Sequence, residues 1–253
     1  MLRRFLSALI VLPIVGLLVY TILLNPSAKA SPKELTVVTR TRGHEVLKAE
    51  AVDGQVTVTL KNNHRQTITA FSISFGNTLR IASDFAYSEV HKGIAPGDTY
   101  QKQYQLSASD ISPELPTLYL QTVLLEDGNE DGDALIAQRI KDERIGEKIQ
   151  LLRAIRILEK HAKLPKDMRG LKGEVVAALD AEESETLTAL NELHPGQQRN
   201  ARSKLSDDVK AGLLTGQGKM LQRLEALEQF PVEHQETAFK DLKMRASSLI
   251  NKL

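Results

Sequence analysis

The sequence predicts an α+β chain in two parts behind an apolar leader: an antiparallel β-sandwich or small barrel, then an all-α helical region. Three observations carry this. Residues 5–24 are almost wholly apolar and follow Arg3 and Arg4. Between residues 35 and 125 apolar side chains recur at every second position between Gly, Pro and Asn turns, the pattern of half-buried strands. From Ala134 to Leu253 they recur at every third or fourth position, the pattern of amphipathic helices. Residues 118–133, LYLQTVLLEDGNEDGD, hold the change of period. They read as an apolar strand, a turn dense in acids and glycine, and a helix start.

Residues 1–30 read as an export segment. Arg3 and Arg4 favour a cytoplasmic N-terminus. An apolar run follows, Asn25-Pro26 breaks it, and Ala28-Lys29-Ala30 offers small residues where signal peptidase cuts. Two outcomes stay open. The Arg pair, the break and the A-x-A site favour cleavage after Ala30. Length favours retention as an anchor over residues 5–24, since a span needs about 20 residues and a signal core usually about 7–15. Either outcome puts the rest of the chain outside the cytoplasm, periplasmic, secreted or held at the inner membrane.

The β half is expected over residues 35–133. Residues 35–52 carry LTVVTR and EVLKAEAV and end at Asp53-Gly54, a hairpin signal. Val56, Val58 and Leu60 alternate with Gln55, Thr57 and Thr59 in a half-buried strand. Residues 61–66 are a polar turn. A further strand follows over 67–75, with Thr69, Phe71, Ile73 and Phe75 on one core-facing side. Ile94-Ala95-Pro96-Gly97-Asp98 is a turn with Pro and Gly suited to its two central positions. Residues 100–106 alternate again, and 109–116 form a loop with two prolines. Residues 118–125 are apolar on both faces, as a strand in a sheet interior must be. Short strands at about 8–12 residue spacing indicate a sandwich or small barrel. The segments VTVTLKNN, TITAFSISF and IAPGDTY, closed by the Leu125-Glu126-Asp127-Gly128 turn, resemble the small immunoglobulin-like modules of exported bacterial proteins of unassigned function. The resemblance spans about 90 residues. It implies an immunoglobulin-like β-sandwich and an exported life, and it assigns no catalytic residue.

Asp127-Gly128-Asn129-Glu130-Asp131-Gly132-Asp133 matches the opening of an EF-hand calcium loop, D-x-N-x-D-G. Asp127, Asn129, Asp131 and Asp133 are therefore the candidate calcium ligands. Position twelve is Gln138 instead of a bidentate Glu, and a strand precedes the loop. The competing reading is a solvated turn whose Asp133 caps the next helix, with the acids suiting its positive end.

The α half is expected over residues 134–253 as four to five helices. From Ala134 to His161, Ile136, Ile140, Ile149, Leu152, Ile155 and Leu158 form one stripe, with Gly146 weakening its middle by about 1 kcal/mol against Ala and Pro165 ending the run beyond it. Leu171, Val175, Val176 and Leu179 mark a second helix. Asp180-Ala181-Glu182-Glu183 has capping-box spacing for a third, running to Leu193 before His194-Pro195-Gly196. Ser206 caps a short helix reaching Leu214, after which Gly216 and Gly218 loosen the chain. Met220, Leu221, Leu224 and Leu227 make another stripe up to Phe230. Pro231 suits the first turn of a last helix, faced by Phe239, Leu242, Ala246, Leu249 and Leu253. The stripes fit a bundle and are too short for a long coiled coil.

Composition narrows function. Without Arg3, Arg4 and Lys29 the 33 basic residues fall to 30, against 32 acids, so there is no electrostatic case for nucleic acid. Aromatic residues make up 4% with no Trp, which argues against a stacking groove for sugars or bases. The absence of Cys excludes disulfides, a thiolate nucleophile, Cys-ligated zinc and a lipidated Cys. The six histidines, His44, His64, His91, His161, His194 and His234, stand apart in sequence and form no H-E-x-x-H. Ser72-Ile73-Ser74-Phe75-Gly76 lacks the first Gly of a nucleophile elbow, and there is no S-x-x-K and no P-loop. Glu182 with Glu183, and Asp207 with Asp208, read as solvated helix-start charges. The expectation is an exported non-enzymatic interaction or structural module with no cofactor, whose partner is a protein or an envelope component. The alternatives are a hydrolase with a site assembled from distant residues, and a calcium-stabilised structural protein.

Overall fold

A computed structural model of the chain describes residues 31–76, 79–86, 92–106, 116–178, 183–193 and 205–250. Residues 1–30, expected to be an export segment, nearly all of the proline loop, the Asp180–Glu182 part of the capping box and the His194-Pro195-Gly196 stop lie outside them. Among the described residues no helix is long and apolar enough to cross a membrane. Strands precede helices: β1 (Lys33–Glu34), β2 (Val37–Thr39), β3 (His44–Val52), β4 (Gln55–Asn62), β5 (Ile68–Phe75), β6 (Leu79–Asp84), β7 (Thr99–Gln105), β8 (Leu118–Leu125) and β9 (Glu130–Gly132), then α1 (Ala134–Lys160), α2 (Met168–Ala177), α3 (Glu183–Leu193), α4 (Asp207–Glu228) and α5 (Val232–Ile250).

The strands form two sheets, one ordered β1-β3-β4-β7 and the other β2-β8-β5-β6 with β9 added to β8. The local chemistry explains the turns. Asp53 and Gly54 both take positive φ, 48° and 81°, as a two-residue hairpin matched to strand twist requires. At the Pro96-Gly97 turn the Asp98 amide donates to the Ala95 carbonyl at 3.0 Å. Val56, Val58 and Leu60 are buried while their neighbours on β4 are not, and they meet Phe71, Ile73, Leu118 and Leu120 of the other sheet in a shared core. Each such large side chain contributes about 1.5–3 kcal/mol by leaving water. Phe85 and Tyr100 close one end of that core, ring to ring at 5.2 Å.

Two strands escaped the alternation pattern. β6 has no clear period. β9 lies inside the acidic stretch read as a turn, and it pairs through its backbone, Glu130 to Leu124 and Gly132 to Thr122. Residues 118–120 of β8 pair with β2, in parallel, so β2 and β9 share one edge of β8. Gln121 falls between them at a register shift. A side chain at Gly132 would collide with this strand, its Cβ standing 2.9 Å from the Thr122 Cα.

The expected single buried face of β5 is doubled. Ala70, Ser72 and Ser74 are buried as well as Phe71, Ile73 and Phe75. At Ala70 the cover is α1, whose Ile136, Ala137 and Ile140 pack on Ala70 and Leu124, and at Ser74 it is the Gln121 side chain, which donates to the hydroxyl. Asp133 caps α1, its Oδ1 accepting from the Leu135 and Ile136 amides at 3.0 and 3.2 Å. Asp133→Ala is expected to lower stability by about 1 kcal/mol, read as a reduced urea midpoint with unchanged slope.

The helical part corrects one boundary and one side-chain assignment. α1 ends at Lys160, within one residue of the expected His161, and Lys243 of α5 donates to the His161 carbonyl at 3.0 Å, so this end of the ladder keeps a partner. Val176 of α2 is 45% exposed instead of packed. The break expected after Leu214 is absent: α4 runs unbroken from Asp207 to Glu228, with Ser206 as its cap. Gly212 and Gly216 face α1, while a Cβ on Gly218 would meet nothing within 4 Å. A Cβ on Gly212 would overlap the Glu143 carbonyl and stand 2.9 Å from the Glu147 amide. One on Gly146 would overlap the Val209 carbonyl and stand 2.9 Å from the Leu213 amide. Gly146 and Gly212 thus let the two backbones touch. This close approach offsets the roughly 1 kcal/mol that each glycine costs in helix propensity. The remaining bundle core joins Leu151, Ile155 and Leu158 of α1 to Leu171, Leu224, Phe239 and Leu242.

Candidate functional site

The acidic turn is divided among structural tasks. Asp127 accepts from the Asn129 amide at 2.9 Å and from Asn129 Nδ2 and Gln66 Nε2 at 2.7 Å each. Those bonds, the backbone one first, hold its carboxyl below the usual range. Asp131 Oδ2 accepts from the Arg42 and Gly43 amides at 2.7 and 3.0 Å, tying β9 to the chain that leaves β2. Asp133 caps α1. Gln138, the twelfth position, donates to Asp142 at 2.9 Å. The candidate ligands Asp127 and Asn129 are together, while Asp131 and Asp133 turn to other partners. Among the described residues no group of three His, Asp or Glu side chains is arranged to hold a metal ion.

Two of the histidines do meet. His44 and His64 stack with ring centroids 5.8 Å apart. The His44 side chain is wholly buried, and its Nδ1 stands 3.4 Å from Asp131 Oδ2, close enough for attraction without hydrogen-bond geometry. Burial is the main reason its pKa falls below 6.5; His64 adds to the fall and the Asp131 carboxylate opposes it. The signal was present in the sequence. Counting out from the Asp53-Gly54 turn puts His44 opposite Asn63, and one shift between Val46 and Lys48 moves it to Asn62. The unfolded chain takes a proton near 6.5 before the folded chain does, so stability falls as pH drops through that value and levels off below the lowered folded pKa. One proton gives at most about 1.4 kcal/mol per pH unit. His44→Gln should remove that slope, seen by urea unfolding between about pH 7.5 and about pH 5.5.

Other polar groups brace the fold. Ser74 of the elbow-like segment accepts from Gln121 at 2.7 Å. Burial pushes the Tyr104 hydroxyl up to about 12, so it stays protonated at neutral pH. Glu147 of α1 is buried and accepts from Lys219 of α4 at 2.6 Å. Its carboxyl is raised because burial outweighs the pull of the lysine. Glu143, one turn earlier, is raised by burial and then by Asp208 and Asp84. Asp207 and Asp208 lie in the first turn of α4, as expected. Glu183 opens α3, and Glu182, with His91 and His194, lies outside the described residues. Glu236 accepts from the Leu164 amide at 2.9 Å.

An open groove of about 520 Å³ runs between α4 and α5. Gln229, Phe230 and Pro231 connect these helices, and so short a connection turns α5 back along α4. Ala226, Leu227 and Phe230 line it from the α4 side, with Ala238 and Leu242 from α5. His234 and Thr237 stand near the turn, and Arg223, Asp241 and Arg245 stand toward the other end. Sequence reasoning took Leu227 and Leu242 as bundle core, which they are, and overlooked the polar positions beside them. The recurrence of His234, Asp241 and Arg245 on one helical face was visible; their meeting with Arg223 was not. Comparison with family models, curated proteins and solved structures finds no match for this chain.

Proposed function

We propose that the chain is an exported, non-enzymatic interaction or structural module of the cell envelope, built from an immunoglobulin-like β-sandwich and a helical bundle. The observation that carries this reading is the α4–α5 groove, a concave surface of a size common for binding sites. The Gly146–Gly212 contact holds α4, which forms one wall of the groove, against α1. The two sheets around one core support the immunoglobulin-like reading. The order of charge, apolar run and break in residues 1–30 supports export, with cleavage after Ala30 or anchoring by residues 5–24. The partner is a protein or an envelope component, and nucleic acid is disfavoured by the charge balance. Fractionation of the native host with an intact mass, beside an esterase and glycosidase panel, tests this. An extracytoplasmic chain without turnover is expected. A cytosolic chain, or turnover by the purified protein, would overturn it in favour of another compartment or of the hydrolase reading.

The EF-hand-like spacing keeps calcium as a second reading, and Asp127 with Asn129 is the pair that favours it. The hydrogen bonds of Asp131 and Asp133 make the opposite prediction. Melting with calcium and with chelator should coincide, because an ion bound only by the folded chain would raise its stability. A chelator-sensitive melt would restore the calcium-stabilised reading.

A further inference from the structure

We propose that the Asp53-Gly54 turn is a site of spontaneous covalent modification, where Asp53 isomerises to isoaspartate ahead of the other Asp-Gly steps of the chain. This goes beyond the interaction reading and does not depend on it. The sequence holds three such steps, Asp53-Gly54, Asp127-Gly128 and Asp131-Gly132. The same reaction is open to each. The glycine nitrogen attacks the aspartate Cγ and a C–N bond forms. The side-chain hydroxyl leaves with the amide proton as water. The five-membered imide then takes up one water. Opening at Cγ restores aspartate, whereas opening at the aspartate main-chain carbonyl routes the main chain through Cγ and frees the α-carboxyl. One water leaves and one returns, so no oxidant, reductant or co-reactant is needed. Glycine favours the attack because it puts no side chain beside the nitrogen.

The fold decides which step reacts, because Cγ and nitrogen must come within about 3–3.5 Å in line. At Asp127 the carboxylate is held by the Asn129 amide, Asn129 Nδ2 and Gln66 Nε2, and the Gly128 amide donates to the Leu125 carbonyl at 3.1 Å. Those bonds also keep the carboxyl ionised, which removes its leaving group. At Asp131 the carboxylate accepts from the Arg42 and Gly43 amides at 2.7 and 3.0 Å. Gly132 is paired with Thr122, so close that an added Cβ would stand 2.9 Å from the Thr122 Cα. Asp53 differs on each count. It is exposed at the tip of the β3–β4 hairpin. The Leu106 amide holds the Gly54 carbonyl at 2.9 Å, but among the described residues neither the Asp53 carboxylate nor the Gly54 amide has a hydrogen-bond partner. A hairpin tip can open locally without global unfolding. The product matters to the fold. Isoaspartate adds one carbon to the main chain of a two-residue turn, and turn length sets the register that pairs Val52 with Gln55 and Ala51 with Val56.

The test ages the full chain in two samples, one folded and one in urea, and locates isoaspartate by peptide mass spectrometry with electron-transfer fragmentation. In the folded chain Asp53 should convert at least about fivefold faster than Asp127 or Asp131. In urea the three steps should fall within about threefold of one another, since only the fold separates them. Asp53→Asn keeps a residue pair suited to the turn. It should react several times faster than Asp53, losing ammonia in place of water, with a thermal melt before ageing that matches the unaltered chain. Equal conversion of all three steps in the folded sample, faster conversion at Asp127 or Asp131, no conversion at Asp53 while the urea sample reacts, or an Asp53→Asn chain that keeps its ammonia would each overturn the proposal.

Discussion

Gly212→Ala is expected to destabilise the chain by about 3 kcal/mol or more, whereas Gly218→Ala on the same helix should stabilise it by about 0.5–1 kcal/mol. Alanine is the better helix former by roughly 1 kcal/mol at either site, so propensity alone predicts two gains. Space decides otherwise. A methyl group on Gly212 overlaps the Glu143 carbonyl, and the groups it meets are backbone. Neither helix can give way without opening the seam that Gly146 makes from the other side. Overpacking of that kind typically costs 1–3 kcal/mol, occasionally more, and here it outweighs propensity. Gly218 has no atom within 4 Å of the added carbon, so only the propensity gain remains. Urea midpoints at constant slope read both changes. A stabilised Gly212→Ala would mean that the α1 and α4 backbones do not touch.

Arg144→Met should cost about 2–3 kcal/mol and loosen the coupling between strands and helices. Arg144 reaches from α1 to the second sheet. Its Nε and Nη2 donate to the two oxygens of Asp84, at 2.8 Å each, and Nη2 also donates to the Thr69 carbonyl at 2.9 Å. The arginine side chain is 17% exposed and Asp84 is 28% exposed. Once unpaired, Asp84 can therefore recover some water, which keeps the cost below that of a fully buried pair. Methionine keeps most of the bulk, so the loss reports polar bonds more than a cavity. A double-mutant cycle with Asp84→Asn should show a coupling of about 1 kcal/mol or more. Additive effects would show the fork to be incidental. In the same variant, unfolding followed by near-UV and far-UV signals should no longer coincide.

What could be read from the sequence was what depends on near neighbours. The β4 alternation, the Asp53-Gly54 and Pro96-Gly97 turns, the Asp133 and Ser206 caps and the change from strands to helices near residue 133 all follow from a few adjacent residues. What was missed depends on contacts distant in sequence. Gly216 and Gly218 look like breakers, yet α4 runs through both, with Gly216 set against Glu147 and Gln150 of α1. The second buried face of β5 includes Ala70 because α1 returns to cover it. β9 is held by backbone bonds that its acidic side chains do not advertise. In the candidate sites, hairpin counting could have brought His44 toward His64. Nothing local joins Arg223 to Arg245, and nothing local assigns the Asp131 carboxylate to the Arg42 and Gly43 amides.

A photo-crosslinking residue at Thr237, in the full chain expressed in its own host, tests the binding role of this groove most directly. Irradiation of cells followed by an intact mass should give one discrete adduct at position 237 and none from the same residue at Gln103 on β7, an exposed position outside the groove. A chain whose mass is unchanged at position 237, or equal adducts at both positions, would contradict a binding role for this surface.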